Sequence, residues 1–311
     1  GAGISLGPRN RLARHYVSAP ISVTVEGANI LTRTLIIFGQ GALRAHPFVQ
    51  KVVLALEEKD LKAFDKSVWG LLGNFVQNKI RATLLFLSRG YLVSLGCSPQ
   101  ARYKRKLSIA SANFAFLADF LMFLYGGKLK FAERITGRMA DILGWMYLAT
   151  ATMRRFEAEK EQQKENKDLV DWVLRYSFHQ IHLAFMSVFA NIEFPILGWI
   201  IRGPLRFVFG LNALSSPPSD ALDQSLAKLI QENSPRRTRL LDGIHYPQKS
   251  EMQECRLEKA FSLTLSSQGA LKKLRAGIRD KKLPKRDVDA QLLSLAQEKN
   301  VLNAAEASLI A

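Results

Sequence analysis

The chain has 311 residues, of which 48% are hydrophobic, so it can form one large globular domain or two ordinary ones. This composition excludes a disordered chain. The formal net charge of +17 favours an anionic partner, such as nucleic acid, an anionic membrane or a phosphorylated ligand. A solvated basic surface explains the same excess and is the first expectation. No stretch of 18 or more residues is wholly apolar and uncharged, which argues against a clear membrane span.

The ends of the chain and its cysteines give a few further expectations. Cys97 and Cys255 are far apart and form no CxxC pair, which predicts two idle thiols in a reducing cytoplasm. The chain starts at Gly1 and has no secretory pattern. We therefore expect it to be a piece of a longer protein.

Nearly all of the first two thirds predicts helix, so the expected fold class is all-α. Val68, Leu71, Leu72 and Phe75 share one helical face by their spacing. Further helices are predicted over 112–125, ending at Gly126-Gly127, over 129–156 and over 169–191. Residues 157–168 are charged and predict an exposed helix end or linker. The best strand candidate is the short segment 21–25.

A proline-containing break, SSPPS at 215–219, separates the last third, which is basic and also predicted to be helical. Its helix candidates are 226–231, 257–265, 270–278 and 288–297. The predicted interruptions are Ser234-Pro235, 245–247 and Leu283-Pro284.

Residues 9–47, RNRLARHYVSAPISVTVEGANILTRTLIIFGQGALRAHP, contain the candidate chemistry. Glu26 lies in a predicted Glu-Gly turn at the start of an apolar helix, among apolar neighbours. Loss of water would raise the pKa of such a carboxylate, as a general base near neutral pH requires. The alternative is a Glu that only interacts favourably with the helix dipole, and pattern alone favours that alternative.

The segment VEGANILTR resembles the sequence that closes the C-terminal helical domain of acyl-CoA dehydrogenases. Glu26, Gly27 and Arg33 match that motif without a gap, whereas four positions differ from its usual residues: Ala28, Ile30, Leu31 and Thr32. The flanking GPRNRLARHY and GQGALRAHP resemble the large bacterial form of the family, the FadE type. The general resemblance covers about the first fifty residues, and the remainder resembles only the extra helical region of that large form.

The resemblance implies that Glu26 removes the α-proton of a fatty acyl-CoA while a β-hydride passes to FAD, giving trans-2-enoyl-CoA in fatty-acid β-oxidation. The backbone N–H of Glu26 would donate to the thioester carbonyl. Gly27 would let the substrate approach the backbone. Ala28, Asn29 and Ile30 would lie beside FAD and contact it through backbone N–H groups.

The same resemblance implies a domain organisation and partners. Residues 1–60 would end the dehydrogenase C-terminal helical domain, 61–214 would form an additional helical bundle with a hydrophobic hairpin, and 215–311 would form a basic helical region. This piece alone is expected to be inactive. The implied partners are an electron-transfer flavoprotein and further copies of the chain, in the cytoplasm or at the periphery of the inner membrane.

A membrane- or partner-docking module is the alternative function. It would centre on the hydrophobic stretch 182–209, with Trp199 and nearby arginines at the headgroups, although a buried helical hairpin is the favoured explanation. The basic cluster at 272–286 fits a solvated helix face first and anionic lipid second. No aromatic residues interleave with it, so no nucleic-acid partner is expected.

Two other patterns carry no predicted site. The GxSxG at residues 3–7 has no strand before it and is followed by Pro8, so it is expected to be a loop. Glu193 lies about three turns, or roughly 16 Å, from His182 along a helix, so His179, His182 and Glu193 are not expected to bind one metal ion.

Overall fold

A computed structural model describes residues 17–21, 29–232, 234–243 and 253–310. All regular secondary structure in these ranges is helical and none of it is strand, which confirms the predicted all-α class. Ile21 ends a short helical stretch, so the strand candidate is wrong at that residue; 22–25 lie outside the described residues. The chain divides into two compact units, Gly1–Ser219 and Asp220–Ala311. The predicted domain limits at 60 and 214 stay predictions.

The first unit contains seven long or composite helices in its described residues. Helix α1 passes without a break through Asn29–Leu31, the π-helical segment Thr32–Gln40 and Gly41–Ala45. The next five are α2 Val49–Glu57, α3 Leu61–Leu87, α4 Pro99–Tyr125, α5 Glu133–Ala158 and α6 Gln163–Ala190. Helix α7 joins Pro195–Ile200, the π-helical Ile201–Leu205 and Arg206–Leu211.

Local sequence signals explain several helix ends. The Asp60 carboxylate accepts hydrogen bonds from the N–H groups of Lys62 and Ala63 at 3.0 Å and so caps α3. Ser98 caps α4 in the same way, with Pro99 at the first helical position. Helix α4 stops at Gly126, which has φ +50°, as the Gly-Gly pair predicts.

The core of this unit lies between α4, α5 and α6. Helices α5 and α6 pack along each other, α1 packs on α5, and α3 packs on α4. The largest fully buried side chains come from these three helices: Leu121, Met139, Ile142, Leu174, Phe178, Ile181 and Phe185. By length and composition α4, with the turn after it, could also cross a membrane, a property that core helices share. Here its Ile109, Leu117 and Leu121 belong to the core.

The hydrophobic stretch 182–209 forms the end of α6, a short turn and most of α7. Phe185 and Val188 of α6 are fully buried, and Ile201 and Phe209 of α7 pack into the same core. The predicted buried hairpin is therefore confirmed for α6 and for one face of α7. The other face of α7 is exposed.

The second unit consists, in its described residues, of α8 Asp220–Gln231, α9 Pro235–Leu240, α10 Gln253–Arg279, α11 Ala290–Glu298 and α12 Ala304–Ile310. Its own small core comprises seven buried residues: Ala270, Leu274, Leu283, Leu292, Leu293, Ala296 and Leu302.

Two predicted breaks are confirmed, and two separately predicted helix candidates form one helix. Ser234 caps α9, and Leu283-Pro284 separates α10 from α11. The helix candidates 257–265 and 270–278 form one continuous α10, in which Ser266 and Ser267 donate hydrogen bonds to carbonyls of their own helix. Residues 245–247 lie outside the described residues.

Candidate functional site

The predicted catalytic segment ends where α1 begins. Glu26, Gly27 and Ala28 lie outside the described residues, whereas Asn29 and Ile30 are the first residues of α1. Ile30 is 70% exposed, and Leu31 is 48% exposed. The structure therefore describes the helix that follows the predicted base and leaves the base itself as a prediction.

Arg33, the last residue of the resemblance motif, attaches α1 to α5. Its guanidinium donates through Nε to Asp141 Oδ1 at 2.5 Å and through Nη2 to Asp141 Oδ2. The hydrogen bond to Asp141 raises the pKa of Arg33. A Cβ at Gly137, one turn earlier on α5, would lie 2.9 Å from Arg33 Nη1, so the guanidinium packs closely over this glycine. The motif arginine thus positions the helix that begins just after Glu26.

The π-helical segment of α1 lies directly against the bundle. Thr34, Phe38 and Gly39 are its buried residues, and the rings of Phe38 and Phe114 meet edge to face with 5.9 Å between centroids. Thr34 Oγ1 donates to the Ile30 carbonyl at 2.7 Å. Segments of π-helix are rare and frequently occur at functional sites. Sequence reasoning had no signal for this change of helical geometry.

A buried polar network fastens the end of α1 to the bundle. His46 Nδ1 accepts from the N–H groups of Phe48 and Val49, so its Nε2 donates to Asp119 at 2.9 Å. Asn74 and Asn78 also donate to Asp119, at 3.1 and 2.8 Å. A buried carboxylate with three donors is satisfied, and we therefore assign this network a structural role.

An apolar pocket of about 540 Å³ lies between α1, α2, α3 and α4. Val53, Leu72, Phe75 and Phe123 contribute to its wall, and Lys130 supplies a positive charge. Its volume is within the range of small-molecule sites, roughly 300–1,000 Å³. Several of these side chains are largely exposed, so the pocket equally suits a covering protein surface.

A second cavity, of about 620 Å³, has several charged side chains in its lining and lies between the starts of α4 and α6 and the end of α5. Asp171 receives hydrogen bonds from Tyr103 and from Arg175 Nε at 2.6 Å. Burial opposes ionisation of Asp171, but these bonds and the positive charges lower its pKa overall. Burial, followed by the bond to Asp171, raises the pKa of Tyr103. Beside the cavity, burial and the charges of Arg102 and Arg175 lower the pKa of Lys106 to about 8.

The two histidines of α6 contact other protein groups. His182 is 9% exposed and stacks on Phe209 with 5.5 Å between centroids. Burial, and then the charge of His179, lower the pKa of His182. His179 Nδ1 lies 3.4 Å from the Ser215 carbonyl. In the described ranges, no group of three or more His, Cys, Asp or Glu side chains is placed to bind a metal ion.

Comparison with known families decides what kind of chain this is. A family described as acyl-CoA dehydrogenase, C-terminal, bacterial type, matches residues 43–311. The chain belongs to this family. The match begins inside α1 and continues through both compact units, whereas Glu26 lies before the first matched residue. No solved structure matches the chain.

Acyl-CoA dehydrogenases generally depend on FAD. Within the described structure, the residues at the start of α1 show how far this segment suits that cofactor. Ile30 and Leu31 present exposed apolar side chains, which suit a flavin ring. Arg33 is bound to Asp141 and is therefore not free to bind a flavin phosphate. A polar contact from this helix to FAD would therefore have to come from a residue other than Arg33.

Proposed function

We propose that the chain supplies the catalytic base of a FAD-dependent acyl-CoA dehydrogenase that converts fatty acyl-CoA to trans-2-enoyl-CoA in fatty-acid β-oxidation. In this reaction the Glu26 carboxylate takes the α-proton. FAD supplies the acceptor for the β-hydride, so that the two electrons leave the substrate with the hydride. The Glu26 N–H donates to the thioester carbonyl, whose oxygen gains negative charge as the α-proton leaves. Gly27 leaves room for the substrate against the backbone, and Ala28, Asn29 and Ile30 lie beside FAD.

The observation that carries this proposal is the attachment of the motif helix to the family-matched bundle. Arg33 is seven residues after Glu26 and is bound bidentately to Asp141 of α5, inside the family match. A base must be held within hydrogen-bond reach of the proton it removes. The two hydrogen bonds from Arg33 to Asp141 fix α1 shortly after Glu26 and Gly27 in the sequence, which supports that requirement.

The Glu26 assignment is tested in the native full-length protein by anaerobic addition of palmitoyl-CoA while flavin absorbance is followed. Replacement Glu26→Gln keeps the size of the side chain and removes its basicity, so flavin bleaching should slow by roughly a hundredfold or more, the usual contribution of a general base. Glu57→Gln, on exposed α2, is the matched control and should bleach at the wild-type rate. Normal bleaching by the Glu26 variant would show that the base lies elsewhere.

The family resemblance supports three further parts of the proposal: electrons pass to an electron-transfer flavoprotein, the protein is a homo-oligomer, and it works in the cytoplasm. The proposed homo-oligomer is also supported by α3, which has an exposed apolar stripe at helical spacing that suits packing against another helix: Trp69, Leu72, Val76, Ile80, Leu84 and Leu87. Sedimentation of the native protein measures its oligomeric state, and a monomer at micromolar concentration would contradict the proposed homo-oligomer.

A second candidate function, docking to an anionic membrane surface, is favoured by the exposed face of α7. Trp199 and Phe207 are 68% and 67% exposed, and Ile200, Val208 and Leu211 continue the same uncovered side. Arg202 and Arg206 lie on the same helix and are exposed. Aromatic side chains beside arginines suit the boundary between lipid headgroups and acyl chains. This function is compatible with the first, because one chain can hold both the base and a docking helix.

Vesicle sedimentation tests the docking function. Trp199→Glu should lower partitioning of the native protein to vesicles containing phosphatidylserine by roughly tenfold or more, since burying a large apolar side chain contributes about 1.5–3 kcal/mol. Tyr147→Glu is a matched control, because Tyr147 on α5 is an aromatic residue that is 72% exposed. Binding of wild type should weaken as salt rises. Equal loss in both variants, or no sedimentation of wild type at low salt, would contradict α7 as the membrane contact.

A further inference from the structure

The cavity between α4, α5 and α6 is lined by charged side chains that take no part in the proposed reaction. Five cationic and three anionic side chains line its volume of about 620 Å³. It also has an apolar wall, which includes the buried Met153, Phe156 and Leu174. An apolar wall with a few convergent charged groups is the usual composition of a small-molecule site.

Arg105 is the cation in this lining whose charge is buried without a counter-charge. The residue is only 7% exposed. Its Nη1 donates to the carbonyls of Ser94 and Gly96, and its guanidinium lies 4.3 Å from the centre of the Tyr91 ring. In the described part of the chain no carboxylate pairs with it, and Nε and Nη2, which are not among the fully buried atoms that lack a partner, remain accessible to a ligand. A buried cation without an anionic partner is costly, so an anion in the cavity would stabilise it.

Two of the three carboxylates in the lining are paired with cationic residues. Asp171 is shared by Arg102, Arg175 and the Tyr103 hydroxyl. Glu157 pairs with Lys104 at 2.8 Å and with Arg154 at 3.5 Å. Asp168 is the third carboxylate in the lining of the cavity.

Two lysines at the start of α6, Lys164 and Lys167, are exposed and line the cavity. Within the described ranges neither has a carboxylate partner. The cavity is therefore electropositive even after its internal ion pairs are made.

We propose that this cavity binds a nucleotide-type ligand, in which a phosphate or pyrophosphate group is joined to a flat ring. Arg105, Lys164 and Lys167 bind the phosphate oxygens, because a guanidinium fork and two ammonium groups match that anion. The ring packs on the wall that contains Met153 and Phe156. Either a free nucleotide or the nucleotide end of a coenzyme A thioester has this chemistry. The proposal does not depend on the role of Glu26.

Cys97 allows a direct test, because it is an exposed free thiol in the lining of the cavity. In a Cys255→Ser background of the native protein, the rate of Cys97 alkylation by a maleimide is measured against concentrations of ADP, pyrophosphate and adenosine. ADP should protect Cys97 saturably, pyrophosphate more weakly, and adenosine least. The double variant Lys164→Glu, Lys167→Glu should raise the half-protecting ADP concentration at least tenfold, as expected for loss of hydrogen bonds to a charged group.

Controls separate the site from general charge effects. Lys62→Glu with Lys79→Glu makes the same charge change on exposed positions of α3 and should leave protection by ADP unchanged. Arg105→Lys keeps the charge but loses the fork, so it should weaken protection without removing it. Absence of protection by ADP, equal protection by adenosine, or equal weakening in the α3 control would overturn the proposal.

The source of the ligand is decided by adding palmitoyl-CoA to the same assay. Protection at lower concentration than ADP, with ADP as a competitor, would assign the cavity to the nucleotide end of a coenzyme A thioester. Protection by ADP alone would assign it to a free nucleotide. Both results support the site, and they differ only in which molecule delivers the phosphate.

Discussion

At the scale of single residues, Arg33 links the sequence motif to the folded bundle. The resemblance supplies Glu26 and Arg33 together, and the structure gives Arg33 a specific task, the two-bond contact with Asp141. Both side chains are partly exposed, at 46% and 33%. Such a pair contributes about 0–1 kcal/mol to folding, because solvent screens it. Its importance should therefore lie in placing α1 rather than in holding the unit together.

This assignment predicts a separation between stability and catalysis. Arg33→Met should lower the free energy of unfolding by at most about 1 kcal/mol. It should nevertheless slow flavin reduction by palmitoyl-CoA, because α1 and the preceding Glu26 lose their fixed position. Arg134→Met, on an exposed position of α5, is the matched control and should change neither quantity.

The exchanged pair Arg33→Asp with Asp141→Arg provides the decisive comparison. If the contact acts by positioning, the exchange should restore part of the rate lost in either single variant. A rate that stays at the single-variant level, or a wild-type rate in Arg33→Met, would contradict the positioning role. Chemical denaturation and anaerobic flavin bleaching supply the two measurements.

At the scale of elements, local signals predicted several helix boundaries, although α4 begins at Pro99 and not at residue 112 as predicted. Gly126 terminates α4, Ser234-Pro235 begins α9 and Pro284 follows α10, because capping and proline effects depend on neighbouring residues. The continuity of α10 through Ser266 and Ser267 was not predicted. There, polar side chains that commonly favour turns bond instead to carbonyls of the helix itself.

The contacts between elements could not be predicted from the sequence, because their partners are distant along the chain. Arg33 and Asp141 are 108 positions apart, and His46 and Asp119 are 73 apart. Periodicity marks an apolar helix face but does not identify the polar group that will meet a given His or Arg. The same reason explains why the cavity around Arg105 had no sequence signal, since three helices build it. Glu26 rests on the resemblance and stays a prediction.

The exposed faces of α3 and α7 show why hydrophobicity alone did not distinguish a core helix from a docking helix. Both contain exposed Trp and aliphatic residues on one side and buried residues on the other. Helix α4, which is long and apolar enough to cross a membrane, is a core element of the first unit. The distinction depends on which side a neighbouring helix covers, and a sequence pattern does not contain that information.

At the scale of the whole molecule, two separate cores divide the chain. In the described residues the first unit has a large core, to which α3 to α7 contribute, whereas the core cluster of the second unit, Asp220–Ala311, has seven buried residues. Small units bury a smaller share of their surface and are correspondingly marginal. We therefore expect the second unit to open more readily than the first.

Hydrogen exchange of the native protein, read by mass spectrometry, tests this difference in stability. Leu292 is fully buried in the second unit, so Leu292→Ala should cost about 2–5 kcal/mol and speed exchange in α10, α11 and α12. Exchange in α4, α5 and α6 should stay at the wild-type rate. Phe178→Ala, fully buried in the first unit, should cost about 3–5 kcal/mol and give the opposite pattern. Faster exchange in both units from either substitution would mean that they unfold as one cooperative body, and the second unit would then owe its stability to the first.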